Sequence, residues 1–100
     1  MRQVIVRYKV KPDRVEENEA LVRAVYDELR RVAPAGLRYA TFREPDGVSF
    51  VHVARHEDGP NPLAALESFQ LFGAAIGARC DDPPVVTELD EVGSYDGLAS

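Results

Sequence analysis

Only two histidines occur in this 100-residue chain, and both lie in one apolar stretch running from Gly47 to Asp58. The stretch opens on a Pro45-Asp46-Gly47 turn signal and reads as a central strand over Val48–His56. Side chains alternate along a strand, so Val48, Phe50, His52, Ala54 and His56 share one face, and Ser49, Val51, Val53 and Arg55 share the other. Four residues of strand set the two imidazoles about 13 Å apart. One metal ion cannot bridge them, because ligand bonds are only about 2 Å long. They could instead touch two parts of one elongated ligand. His52, at mid-strand, is the catalytic candidate: a buried neutral imidazole could take the proton of a phenolic substrate as a general base, titrating near the ordinary value of about 6.5. The alternative is a core histidine bonded to Tyr39, Tyr8 or a backbone group. His56, at the strand end beside Glu57 and Asp58, is either a ligand contact or a solvated surface histidine.

The remaining candidates are binding residues. Tyr8 and Tyr26 carry hydroxyls on otherwise apolar faces, pointing either to a pocket or to packing with a satisfied hydroxyl, and Tyr39 of the second strand is a further substrate-binding candidate. Asn18 falls inside the apolar arc of the first helix, at a cavity mouth or exposed at the helix end. Phe50, Phe69 and Phe72 are core residues that could also wall a pocket. Gly73 either leaves room for a ligand under the second helix or allows close packing on the sheet. Cys80 follows Arg79, which could lower its pKa, but with no partner thiol or adjacent histidine it reads as structural. The chain holds no phosphate loop, nucleophile elbow or metal-ligand spacing, so neither a metal nor a cofactor is expected.

The elements that must position these residues are legible in the periodicities. Gln3–Lys11 alternates as a first strand, with Val4, Val6, Tyr8 and Val10 on its apolar face. Asp13 and Glu16 have capping-box spacing. From there to about Ala33 the pattern is helical, with Val15, Leu21, Val22, Val25, Tyr26, Leu29, Val32 and Ala33 in one arc, and Glu19/Arg23 and Asp27/Arg31 paired on the other side. Pro34-Ala35-Gly36 stops the helix. Leu37–Arg43 is a second strand, turned by Glu44-Pro45-Asp46-Gly47 into the central strand. A four-residue loop would pair Arg43 with Val48 and put Tyr39 opposite His52, whereas a three-residue loop would bring Ala40 there. Asn61 and Pro62 start a second helix reaching about Ala78, with Ala65, Leu66, Phe69, Phe72, Gly73 and Ile76 on its apolar side and Leu71 off it. Asp81-Asp82-Pro83-Pro84 breaks the chain, and Val85–Val92 is the last strand, with Tyr95 a possible extension.

Composition bounds the function. Hydrophobic residues make up 45% and charged residues 29%, as in a soluble globular domain. The net charge of −5 argues against nucleic acid or an anionic membrane as partner. No apolar run nears the roughly 20 residues that span a bilayer, and a cytoplasmic protein is expected. One domain over residues 1–96 with a tail over 97–100 accounts for the length.

The order β-α-β-β-α-β is that of the ferredoxin-like α+β unit, an antiparallel four-stranded sheet with both helices on one face. The helices cover one side only. Val51, Val53, Phe42 or Tyr39, and Ile5 would then lie on a bare sheet face, which a homodimer packed sheet to sheet would cover.

The order of elements, the Lys11-Pro12-Asp13 entry to the first helix, the Pro34-Ala35-Gly36 exit and the Gly47–Asp58 strand resemble the antibiotic-biosynthesis-monooxygenase-like domains of the dimeric α+β-barrel superfamily. The resemblance spans about residues 3–95. It implies a site between sheet and helices in each protomer, and activities that include cofactor-free oxygenation of polycyclic phenols, quinol oxygenation and haem degradation. Where the polyketide oxygenases of that family carry Asn and Trp, this chain has His52 and His56. Where the haem degraders carry a strand Asn and an axial His, it has Val6 and a position near Gly73. The resemblance therefore implies a small aromatic quinol or phenol as ligand rather than haem, with a non-catalytic dimeric ligand-binding or assembly module as the alternative.

Overall fold

The computed structural model of the chain describes residues 1–95. The expected tail at 97–100 lies outside them. Strands β1 (Arg2–Val10), β2 (Leu37–Arg43), β3 (Ser49–His56) and β4 (Cys80–Leu89) form one antiparallel sheet in the order β2-β3-β1-β4. Helix α1 (Val15–Val32) follows β1, and α2 (Glu67–Ala74) with the short α3 (Ile76–Arg79) follows β3. Tyr8, Val10, Val22, Val25, Phe50, Ala54, Leu63, Leu66, Phe72 and Cys80 form the core between sheet and helices. The ferredoxin-like order of elements and the central place of β3 are as the sequence implies.

The hairpin differs in register. Thr41, not Tyr39 or Ala40, stands opposite His52, and Arg43 pairs with Phe50. The cause is Asp46, whose carboxylate accepts from the Val48 amide at 3.0 Å and from the Ser49 amide at 2.8 Å. That side-chain cap holds Val48 in the turn and starts the strand at Ser49. The slip is of two residues, so each side chain keeps its face. Tyr39 stays on the His52 side, one diagonal step along.

Helix ends differ too. No capping box forms; Pro12–Arg14 makes a 3-10 turn ahead of α1 instead. Ala33 ends α1 in the left-handed region at φ 47°, with Val32 and Ala33 exposed rather than in the apolar arc. Asp27 pairs with Arg30 and not Arg31, while Glu19–Arg23 forms as spaced.

The expected single second helix is three pieces. Pro62–Ala65 is a 3-10 turn that buries Leu63, with the Asn61 side chain accepting from the Leu63 amide at 3.0 Å. Leu66 is extended, and α2 begins after it with its Ser68 amide donating to Glu28 of α1 at 2.9 Å. A carboxylate from the neighbouring helix thus caps α2, and those bonds hold the Glu28 pKa below the usual range. Ala75 interrupts the helix again before α3. Ala65 and Gly73 are exposed, and a Cβ at Gly73 would meet nothing within 4 Å, so Gly73 neither opens a cavity nor permits a close approach.

The last strand begins five residues early, at Cys80, and ends at Leu89. Asp81-Asp82-Pro83-Pro84 lies inside β4, where the pairing with β1 shifts between Arg7 and Lys9. An edge strand can carry prolines at such an irregularity, because its outward donors are not needed. Tyr95 does not extend the strand.

Candidate functional site

His52 sits at the centre of a buried hydrogen-bonded cluster built from β1, β2, β3 and the first turns of α1. Its register partners across the sheet are Val6 and Thr41. The ring is 4% exposed, and both of its nitrogens are engaged. Nε2 lies 2.7 Å from the Tyr8 hydroxyl, and Nδ1 lies 2.7 Å from the Tyr39 hydroxyl and 3.0 Å from Thr41 Oγ1. Asn18 Nδ2 donates to the Tyr8 oxygen at 2.9 Å. Arg79 Nε donates to Asn18 Oδ1 at 3.3 Å, and its Nη2 donates to the Phe72 carbonyl at 2.7 Å. On the other side Tyr26 and Thr41 hydroxyls bond at 2.8 Å.

Aromatic rings pack around this chain of bonds. His52 has the Tyr8, Phe72 and Tyr39 rings at centroid distances of 5.3, 5.4 and 5.8 Å. Phe50 stacks on Tyr8 at 5.6 Å, and Tyr26 on Tyr39 at 5.3 Å. Phe69 is half-buried and reaches the cluster through Phe72. Arg79 lies over the Phe72 ring, 5.3 Å from its centroid, and is 1% exposed.

Burial sets the electrostatics. It lowers the His52 pKa to about 4, well below the ordinary value, so the ring is neutral at physiological pH. Burial likewise pushes the phenols of Tyr8, Tyr39 and Tyr26 upward, and all three stay protonated. A neutral imidazole is the form the sequence implies, but as a base it is weaker than one titrating near 6.5. Burial also raises the Cys80 thiol, outweighing the opposing pull of Arg79.

The structure brings together His52, Tyr8, Tyr39, Asn18, Phe50 and Phe72, and leaves out two candidates. Gly73 faces outward. His56 is not a solvated surface residue: it is 4% exposed, with Nδ1 directed at the Glu57 carbonyl at 2.7 Å. Asn18 is fully buried rather than exposed at the helix end. Two members, Thr41 and Arg79, have no place in the site read from sequence. Thr41 enters through the hairpin register. Arg79 is the only lysine or arginine after Arg55, set in an apolar helical stretch, and that isolation is the signal it offers.

Two clefts open beside the cluster, between α1 and β2. One, of about 290 Å³, is lined by Tyr26, Thr41, Phe42 and Phe50 with the charged Glu19, Arg23 and Arg43. The other, of about 240 Å³, lies against Tyr26, Leu29, Leu37 and Tyr39. Tyr26 is common to their walls, Thr41 lines only the first and Tyr39 only the second, and His52 lines neither.

No protein-family model and no curated protein matches the sequence. Solved structures match its shape. Rv0793 from Mycobacterium tuberculosis aligns over 95% of this chain and 98% of its own at a TM-score of 0.76 and 24% identity. An antibiotic biosynthesis monooxygenase aligns over 93% of this chain and 100% of its own at 0.72 and 24%. A variant of SnoaB, a cofactor-independent oxygenase from Streptomyces nogalater, covers 96% of this chain and 97% of its own at 0.71 and 18%.

The chain has the antibiotic biosynthesis monooxygenase fold.

In this monooxygenase fold the buried cluster of the present chain lies between sheet and helices, where the resemblance read from sequence places a site. Identities at this level carry the architecture, and the chemistry has to be argued from the residues themselves.

Proposed function

We propose that this protein is a cofactor-independent, monooxygenase-like enzyme acting on a small aromatic phenol or quinol, held at His52 between sheet and helices. The observation that carries the reading is the Tyr39–His52 contact of 2.7 Å. It shows that the ring nitrogen accommodates a phenolic oxygen, and it is made by a half-buried side chain on the edge strand with a cleft beside it. A ligand ring entering from the α1–β2 side and displacing Tyr39 would set its own hydroxyl oxygen against Nδ1, release that hydroxyl's proton to water at the cleft mouth, and stack on Tyr26. The aromatic walls of Phe50 and Phe72 would keep bulk water from the anion as dioxygen oxidises it, one oxygen atom entering the ring to give a hydroxyquinone and the other leaving as water with two of the substrate's hydrogens. His52 then holds the substrate oxygen while the substrate is oxidised.

Oxygen uptake with a panel of hydroquinones, without added metal or flavin, tests this. His52→Ala should lose on the order of 10²–10³ in rate, as when a preorganised hydrogen-bond partner of a developing oxyanion is removed. Uptake unchanged in that variant sinks the mechanism.

A second reading is a non-catalytic dimeric module that binds a small ligand or only assembles. It is favoured by the saturation of both His52 nitrogens and by the absence of His52 from the cleft walls. Ligand-induced thermal stabilisation with no oxygen uptake from any quinol would decide for it.

The protein is also proposed to act as a homodimer, packed through the sheet face away from the helices. Ile5, Val51 and Val53 lie there half-buried, and Phe42 and Val85 are 57% and 63% exposed. On the same face Arg55 Nη1 is buried and has no hydrogen-bond partner among the described residues, with Glu91 3.9 Å away. A second sheet would cover the apolar residues and could supply that donor with an acceptor.

A further inference from the structure

We infer that Arg79 is a positioning residue that fixes the proton on Nδ1 of His52, so that the site offers a ligand a hydrogen-bond donor and selects an accepting oxygen, such as a phenolate, enolate or carbonyl. The inference deepens the reading of His52 as the ligand's partner and rests on it.

The direction follows from counting protons along the chain of contacts. A guanidinium only donates. Arg79 Nε therefore gives its proton to Asn18 Oδ1, and this fixes which end of the amide faces Tyr8: Nδ2 donates to the phenol oxygen. Tyr8 is 2% exposed, and its hydroxyl touches only Asn18 Nδ2 and His52 Nε2 among the described residues. Since the amide nitrogen cannot accept, the one acceptor for the Tyr8 proton is Nε2. A buried hydroxyl left without an acceptor would be costly. A neutral imidazole that accepts at Nε2 carries its proton at Nδ1. That proton points at the Tyr39 and Thr41 oxygens, the side toward the clefts.

The Tyr39 hydroxyl, which touches only Nδ1 among the described residues, would favour the opposite polarity, but Tyr39 is half-buried and can give its proton to water, whereas buried Tyr8 cannot. With the Asn18 amide turned over, Oδ1 would take the Tyr8 proton, Tyr8 would accept from Nε2–H, and Nδ1 would become a lone pair suited to a donating ligand. Arg79 prevents the turn. It is itself held by the Phe72 carbonyl and the Phe72 ring. No carboxylate among the described residues lies within 4.0 Å of it.

Long-range proton–nitrogen NMR on uniformly ¹⁵N-labelled protein reads the tautomer directly, with no assay of turnover, so failure here and failure of the oxygenase reading are separable. In the wild type at pH 7, His52 should be the Nδ1–H form. His56 is the internal reference, because its Nδ1 faces a carbonyl oxygen and must also carry the proton. In Asn18→Asp the new carboxylate only accepts, and His52 alone should switch to Nε2–H. In Arg79→Met the freed amide should give a mixture of both forms, and Arg79→Lys should restore Nδ1–H. An Nε2–H form of His52 in the wild type overturns the inference without any variant. So does an unchanged tautomer in a folded Asn18→Asp or Arg79→Met protein.

Discussion

His52 is a titratable group whose charged form the fold disfavours, and this has a measurable cost in acid. Its folded pKa of about 4 lies below the free value of 6.5, so on acidification the unfolded chain takes up the proton first. The neutral-ring contribution to stability is fully present above about pH 6.5 and drains away as the pH falls toward 4, by about 3 kcal/mol in all. Urea unfolding at several pH values should show this loss in the wild type and not in His52→Gln, so the difference between the two curves should carry it. Equal pH slopes in the two proteins would contradict the burial argument. For the same reason, any activity that needs the neutral ring should be flat from pH 6 to 8 rather than rising through an imidazole pKa. Tyr8→Phe tests the neighbouring contact. It strands Asn18 Nδ2 and His52 Nε2 in a buried site, and each orphaned group should cost roughly 1–3 kcal/mol. A loss well under 1 kcal/mol would mean that the two groups find other partners.

Elements were legible in the sequence where one periodicity ran unbroken and was answered by burial. The first strand, the long helix and the histidine strand all fall where alternation or the 3.6-residue arc places them. What escaped was set by contacts between distant residues. The second helix breaks at Leu66 because that side chain buries and Glu28, 40 residues from Ser68, caps the next turn. The hairpin register turned on one Asp46 side chain. In the site, His52, Tyr8 and Tyr39 could be read because alternation fixes a face even when a register slips by two. Arg79 could not, since its partners, Asn18 and Phe72, are fixed only once α1 and α2 are packed. Gly73 gives the test at this scale. It lies within α2, exposed and with open space where a Cβ would go. Gly73→Ala should therefore raise stability by about 0.5–1 kcal/mol and leave ligand affinity unchanged. A destabilised Ala variant would return Gly73 to a packed position.

At the scale of the whole molecule the sheet has two unlike faces, one closed by helices and one bare. Among the described residues no helix is long and apolar enough to cross a membrane, and the bare face suits a second sheet. Light scattering coupled to size exclusion should give twice the 11.1 kDa chain mass. Val51→Asp should shift the protein toward monomer, because dimerisation would then bury an unpaired charge. A wild-type monomer at micromolar concentration would remove the sheet-to-sheet arrangement.

Pro83 and Pro84 lie in β4, which closes one side of the sheet. Neither can lend an amide proton to an incoming strand, and the pairing of β4 with β1 is already irregular beside them. The sheet thus has one border where templating by a like chain is discouraged, which is a defence against fibril growth in a protein with bare valines on one face. The opposite border, β2, has no proline and relies on the charges of Arg38 and Arg43. Replacing both prolines by valine should leave the fold intact yet shorten the lag before turbidity develops on prolonged warming, and the aggregates should bind dyes specific for cross-β structure.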